Sequence, residues 1–107
     1  IKLLVFVQGC ATMHKLFKAL GSRQRLKILD FLMSIDEPIC YCELEGVIDR
    51  DRSVIYRHLK KLESVDLLET RRSGKRVECW IRDRGKVRKL FKIAKTITNN
   101  EVTAIES

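Results

Sequence analysis

The chain has 107 residues, a length that suits one domain with a modest core. Its formal net charge is +8 and its sequence pI is about 9.6, which favours a polyanionic partner. The basic charge is concentrated, because residues 50–95 contain 16 Lys and Arg but 6 Asp and Glu. No segment reaches the roughly 18 apolar residues of a membrane-spanning helix, so we expect no membrane partner.

The 4 cysteines occur at unequal spacings, and two of them are separated by a single residue. This spacing is not typical of a secreted disulfide framework, so we expect a reducing, cytoplasmic environment. The apolar opening IKLLVFV (residues 1–7) has no charged segment before it and no convincing cleavage site. We therefore expect no signal peptide.

Residues 2–20 are predicted to form an amphipathic helix whose apolar side chains repeat at alternating steps of three and four: Leu3, Phe6, Cys10, Met13, Phe17 and Leu20. Gly9 weakens its middle, and Gly21 ends it. A helix this apolar has little of its own domain to cover, so we expect it to pack across a dimer interface. Ser22 caps a second helix that extends to about Ser34 and is expected to bury Leu26, Leu29, Leu32 and Met33.

A helix-turn-helix is predicted next. Asp36, Glu37 and Pro38 break the second helix, and a short extended piece (residues 39–42) leads into a helix of about Tyr41 to Ile48. Asp49 and Arg50 then form a tight connection to another helix.

That helix, residues 51–62, has an apolar stripe of Ile55, Leu59 and Leu62 and an N-terminal cap at Asp51. Its outward face carries hydroxyls and cations: Ser53, Tyr56, Arg57 and Lys60, with Arg52 at its start. An ordinary solvated face is the alternative interpretation. A short helix of this composition has the shape and charge that enter a DNA major groove.

Two strands are predicted after this helix, Leu67–Arg72 and Val77–Arg82, joined by a turn of Ser-Gly-Lys-Arg. Val77, Cys79 and Ile81 share one side of the second strand. The hairpin tip carries four cations that repel one another unless an anion lies between them: Arg71, Arg72, Lys75 and Arg76. A hairpin this basic beside a helix-turn-helix is typical of a wing.

The last predicted helix covers residues 84–98 and has an apolar stripe of Val87, Leu90, Phe91, Ala94 and Ile97. We favour dimer packing for this stripe over binding at a membrane surface. Residues 1–98 thus form one domain, and residues 99–107 are expected to form a flexible tail.

Three segments together resemble the ArsR/SmtB family of small dimeric transcriptional regulators: LFKALGSRQRLKILDFL (Leu16–Leu32), ICYCEL (Ile39–Leu44) and Val54–Ile81. The resemblance covers residues 14–98. It implies a mainly α fold with a small β-hairpin, a winged helix-turn-helix that dimerises through its N- and C-terminal helices. It also implies a repressor that binds a double-stranded DNA operator. Arg52 stands where a Gln is usual, so the operator sequence of relatives does not transfer.

The same resemblance implies that Cys40 and Cys42 form the core of a thiolate site for arsenic, cadmium, lead or zinc. The arsenic-type third cysteine is replaced by Glu45, whereas the cadmium and lead type uses a cysteine from the N-terminal segment, here Cys10. His14 lies one turn further along that helix. Independently, thiols near a helix N-terminus ionise readily and select soft ions, but two sulfurs do not complete a metal site.

Structural roles are the alternatives for these residues. Cys40 and Cys42 could be packing residues or a redox pair, and Cys10 a small apolar side chain. We expect Cys79 to lie in the core and His58 to support the helix of residues 51–62. The family's other metal site needs histidines on the last helix, and residues 83–107 contain none.

Other function classes remain open at this point. Winged helices also serve as RNA-binding or protein-docking modules, and a regulator could respond to thiol oxidation, to no small effector, or act as an activator. An enzyme is not expected, because no nucleophile with a base, paired carboxylates or phosphate-binding glycine loop occurs.

Overall fold

The first helix, α1 (Lys2–Leu20), has the predicted bounds. The computed structural model describes residues 2–98, with side chains from residue 9 onward, so the tail predicted for residues 99–107 and the side chains of Leu3 and Phe6 lie outside the described part. Ala19 is buried against the rest of the domain, whereas Met13 and Phe17 are 54% and 57% exposed. One side of α1 is therefore not covered by the described residues of the chain.

Helix α2 (Arg23–Met33) starts at the predicted cap, where the Arg25 backbone N–H donates to Ser22 Oγ at 3.3 Å. Its buried side chains are Ile28, Leu29 and Leu32. The prediction that Leu26 is buried was wrong, since this side chain is 41% exposed. Ile28 points to the core, and Leu26 lies about 200° around the helix from it. Met33 is half-buried.

The helix-turn-helix begins with a single 3₁₀ turn (Tyr41–Leu44) that continues as α3 (Glu45–Ile48), where a uniform helix was predicted. Asp49, with φ of 53°, reverses the chain in the left-handed conformation that Asp tolerates. Helix α4 (Arg52–Ser64) follows, and the Val54 N–H donates to Asp51 Oδ1 at 3.0 Å, which confirms the predicted cap.

A three-stranded antiparallel sheet has the order β1–β3–β2. Strands β2 (Leu68–Ser73) and β3 (Arg76–Ile81) form the predicted hairpin, each displaced by one residue from its predicted bounds. Gly74, with φ of +64°, supplies the left-handed position of the turn. Strand β1 (Ile39–Cys40) pairs with β3, with Ile39 opposite Cys79, where only an extended piece was predicted.

The core lies between α2, α4 and the sheet. The α4 stripe is fully buried as predicted, and so are the three β3 residues Val77, Cys79 and Ile81. Helix α5 (Arg84–Thr98) covers one edge with Val87, but Ala94 and Ile97 of its predicted stripe are exposed. In the part of the chain that the structure describes, no helix combines the length and apolarity needed to cross a bilayer.

Arg84 fastens α5 to the end of α2. Its guanidinium donates to the carbonyl oxygens of Leu32 at 3.2 Å and Ile35 at 2.7 Å, and it lies 3.4 Å from an Asp36 carboxylate oxygen. The guanidinium also donates to the Met33 carbonyl oxygen, so it binds carbonyls at and just after the C-terminus of α2.

His58 fastens α4 to the start of α2. Arg25 Nη1 lies 3.1 Å from His58 Nδ1, and the Gln24 side-chain amide lies 2.9 Å from His58 Nε2. Partial burial, followed by the positive charge of Arg25, lowers the pKa of the imidazole. The ring is therefore harder to protonate than an ordinary imidazole, and its contacts place it where it supports α4, as predicted.

Leu59→Ala should lower the free energy of unfolding by about 2–5 kcal/mol, because the side chain is 0% exposed and its removal leaves a cavity. Urea denaturation at a fixed protein concentration measures this. Lys61→Ala, an exposed position on the same helix, is the control and should change stability by less than about 0.5 kcal/mol. Equal effects of the two substitutions would contradict the buried position of Leu59.

Acidification should destabilise the fold through His58. Its pKa is below the ordinary 6.5, so the unfolded chain binds the proton more readily and stability falls as the pH drops below about 6.5. Urea midpoints at pH 5.5 and 7.5 should therefore differ less in His58→Gln than in the wild type. His14→Gln, which changes an exposed histidine, should keep the wild-type difference. An unchanged pH dependence in His58→Gln would contradict this role.

Candidate nucleic-acid interface and thiol site

The outward face of α4 is built by the burial of its opposite side. Ser53, Arg57 and Lys60 are exposed there, as predicted. Ser53 Oγ donates to Asp51 Oδ1 at 2.7 Å, and this hydrogen bond is the main reason that the pKa of the Asp51 carboxyl is lowered. The cap therefore stays ionised and holds the first turn of α4 in helical geometry.

Tyr56 joins α4 to the wing. Its ring has Lys60 Nζ at 5.3 Å and Arg72 Cζ at 5.8 Å from the centroid. A hydrogen bond with Arg72 is the main cause that lowers the pKa of the Tyr56 hydroxyl. Lys60 Nζ also lies 3.0 Å from Glu63 Oε1. The predicted outward residues of α4 and one wing arginine thus form a single surface.

The wing includes a carboxylate, that of Glu78, which pairs with two of its arginines. Arg71 Nη2 lies 2.7 Å and Arg76 Nε 3.7 Å from the Glu78 carboxylate. The hydrogen bond from Arg71 is the main cause that lowers the pKa of Glu78. Sequence reasoning missed these two ion pairs. The alternation of Glu78 with Val77 and Cys79 does place the Glu78 side chain on the outer side of β3. The crowding predicted among the tip cations is relieved by Glu78 in the free protein.

Arg52, predicted at the groove-facing start of α4, is tied to α3. Its Nε lies 2.8 Å from Glu45 Oε1, and both side chains are largely exposed. An exposed pair of this kind contributes little stability. Arg52 can therefore leave Glu45 for another anion at small cost.

The four cysteines occupy three different environments. The Sγ atoms of Cys40, which is buried, and Cys42, which is half-buried, form a disulfide. Cys10 is free and exposed on α1. Cys79 is free and buried in the core as predicted, and burial raises the pKa of its thiol to about 12.

Cys10 and His14 are not brought to the Cys40–Cys42 pair within one chain. Among the residues that the structure describes, no group of three or more His, Cys, Asp or Glu could hold a metal ion. Two sulfurs provide half of a tetrahedral set, so the described residues of one chain do not complete a metal centre. Any third ligand has to come from elsewhere.

Tyr41 connects the cysteines to α4, a contact that sequence reasoning missed. It lies between Cys40 and Cys42, and its ring meets the Tyr56 ring edge to face, with centroids 6.4 Å apart and planes at 75°. Two aromatic residues on separate elements carry no periodic signal that could have revealed the contact. The thiol pair is therefore one side chain away from the outward surface of α4.

Sequence comparison gives a family match for residues 22–70, to the model described as bacterial regulatory protein, arsR family. The cadmium resistance transcriptional regulatory proteins CadC of Listeria innocua and Lactococcus lactis are each 31% identical over 67 residues, covering 63% of this chain and 56% of theirs. A CadC homolog of Staphylococcus aureus is 30% identical over 63 residues, or 59% of this chain and 51% of the homolog. The chain thus spans just over half the length of these relatives.

Solved structures share the fold. A homodimeric winged helix-turn-helix DNA-binding domain of Mycobacterium bovis superposes with a TM-score of 0.72 at 24% identity, covering 87% of this chain and 83% of that one. Reduced HlyU of Vibrio cholerae superposes with a TM-score of 0.64 at 23% identity. The superposition covers 86% of this chain and 94% of the HlyU chain. The matched family is one of bacterial regulatory proteins, and these solved structures share the winged-helix fold with the chain. Residues 22–70, set within this winged-helix fold, therefore match the model of the ArsR family of bacterial regulators.

Proposed function

We propose that the chain is a homodimeric transcriptional repressor whose helix α4 enters the major groove of a double-stranded DNA operator. The observation that carries this proposal is the exposed face of Ser53, Arg57 and Lys60 opposite a fully buried stripe. Arg57 forms no ion pair or side-chain hydrogen bond in the described part of the chain, so its guanidinium is free for a guanine edge or a phosphate.

We assign the wing to contacts with the DNA backbone or the minor groove beside the major groove that α4 enters. Arg72 and Lys75 are exposed on the hairpin, and Arg71 and Arg76 share one carboxylate between them. Two guanidinium groups on a single Glu78 keep a net positive charge. That charge supports contacts to phosphate, which position a protein on the duplex without reading sequence.

Dimerisation is proposed through α1 and α5. The large apolar side chains that these helices expose in the single chain are Met13, Phe17, Ile93 and Ile97. Large apolar side chains exposed on both helices support an interface there. A two-fold dimer would present two α4 helices to successive major grooves, about 34 Å apart, and a dimer bound over a promoter would block transcription. We propose residues 1–98 as the unit that does this.

The effector site is proposed at Cys40 and Cys42, with the partner subunit's Cys10 as third ligand. Cys10 is exposed and free, on the helix that we assign to the dimer interface. Three thiolates suit arsenic, cadmium, lead or zinc in preference to hard ions. Ligation requires both sulfurs as thiolates, so the disulfide has to be reduced first. The similarity to cadmium resistance regulators supports this choice of ion class.

Tyr41 provides a physical route from this site to the DNA surface. Any movement of Cys40 or Cys42 displaces Tyr41, which packs on Tyr56, which in turn contacts Arg72. A coupling of about 1–3 kcal/mol, or 5- to 150-fold in affinity, would suffice for release.

A thiol-redox response is the second candidate, and the bond between Cys40 and Cys42 favours it. Formation of this bond removes two electrons and two protons from the thiol pair, and an oxidant of the disulfide or peroxide class would accept them. The same Tyr41 contact would transmit the change.

Arg57→Ala should weaken binding to the preferred DNA sequence by about 10- to 100-fold, because a bidentate base contact contributes about 1–3 kcal/mol. The sequence is first selected from a random duplex library, and fluorescence anisotropy then measures affinity. Arg88→Ala removes an exposed arginine from α5 and should leave the affinity unchanged. Unchanged affinity in Arg57→Ala would remove α4 from the interface.

Arsenite, Cd²⁺, Pb²⁺ or Zn²⁺ should release the reduced protein from this DNA with at least a fivefold loss of affinity. The double variant Cys40→Ser, Cys42→Ser should bind DNA but ignore the ion, whereas Cys79→Ala, at a buried non-ligand, should still respond. Release by oxidant, with no response to any ion, would support the redox candidate instead. A wild-type protein indifferent to every ion and to oxidant would contradict both.

A further inference from the structure

The two flanks of α4 differ in what they offer a DNA backbone. The major groove is about 12 Å wide and a helix with its side chains about 10–12 Å, so a helix in the groove meets a phosphate strand on each side. Tyr56 and Lys60 lie on the flank that meets the wing. Lys61 comes five positions after Tyr56, about 140° around the helix, on the flank that faces α2.

A groove of about 230 Å³ runs along this second flank, and we name it the α2-side groove after its lining: Arg25, Val54, Arg57, His58 and Lys61. A neighbouring cavity of about 250 Å³ between α1 and α4 is lined in part by Lys61 and by three more basic side chains, His14, Lys15 and Lys18. No carboxylate of the described residues lines the α2-side groove or this cavity. Lys61 belongs to both.

The cations of the α2-side groove lack the counterions that other cations have. Lys60 lies 3.0 Å from Glu63 and Arg52 lies 2.8 Å from Glu45. Arg57 and Lys61, by contrast, form no ion pair or side-chain hydrogen bond within the part of the chain that the structure describes. A concave surface with several unpaired cations attracts an anion.

The side chain of Arg25 lines one side of this groove and is held in place by hydrogen bonds. Its guanidinium donates to the carbonyl oxygens of Ala19 and Lys18 at the end of α1 and also contacts His58. These bonds hold the positive charge of Arg25 in place but do not neutralise it. Partial burial is the main cause that lowers the pKa of His58, and the charges of Arg25, Lys61, Arg57 and Arg50 lower it further, as expected beside a cluster of cations.

We propose that the α2-side groove binds a backbone phosphate of duplex DNA, with Lys61 as the contacting cation, on the groove rim opposite the wing. This inference rests on the proposed DNA binding and adds a contact that the helix face and the wing do not provide. The wing and the α2-side groove would then hold both strands that border the major groove, which fixes the tilt of α4 within it.

The test is the salt dependence of binding to a labelled 30-base-pair duplex pool of random sequence. Each phosphate contact contributes about 0.9 to the slope of log affinity against log salt. Lys61→Ala should therefore make the slope shallower by about one per protomer, and weaken binding to random and selected sequences by the same factor. Lys61→Arg should keep the wild-type slope, because it keeps the charge.

Lys27→Ala is the matched control, since Lys27 is exposed on α2 but does not line the α2-side groove. Equal slopes for Lys61→Ala and Lys27→Ala, with a steep wild-type slope, would overturn this inference and leave the proposed function standing. A wild-type protein that does not bind duplex DNA would overturn the proposed function itself. A further measurement adds inorganic phosphate at constant ionic strength and follows protein stability. If phosphate stabilises the wild type but not Lys61→Ala, while the salt slopes for DNA binding are equal in the two proteins, the groove is a site for free phosphate. That result would also overturn the inference.

Discussion

Burial of Ile55, Leu59 and Leu62 is the constraint on which the rest of the structure depends. Because successive residues of a helix are about 100° apart, burying these three side chains decides which residues of α4 face solvent. His58, at the edge of the stripe, then sets how α4 lies against α2 through its contacts with Gln24 and Arg25. The position of the outward face follows from core packing and not from any contact with a ligand.

The carboxylates decide where the positive charge of this chain is effective. Glu45, Glu63 and Glu78 each lie beside a cation on the helix-turn-helix or the wing. Within the described residues Arg57 and Lys61 form no ion pair, and both line the α2-side groove. The distribution of counterions, more than the net charge of +8, therefore shapes the surface that we assign to DNA.

The thiol pair owes its position to the sheet. Strand β1 pairs with β3, which holds Cys40 beside Glu78 and leaves the chain free to turn at Tyr41. Cys79 lies behind the same sheet, where burial raises the pKa of its thiol and keeps it unreactive. One sheet thus separates a structural cysteine from two that can react, and it directs the residue between those two onto α4.

Local patterns in the sequence determined the helices of this protein. The bounds of α1 and α5, the caps at Ser22 and Asp51 and the buried stripe of α4 depend on residues a few positions apart, and all were predictable. The two-residue strand β1, the exposure of Leu26, the Glu78 pairs and the contact of Tyr41 with Tyr56 were not. Each of these is decided by which distant segment packs against the residue. Periodicity within one helix or strand specifies its buried side but not the neighbour that will cover it, so only the tertiary structure could join the thiol pair, the wing and α4 into one surface.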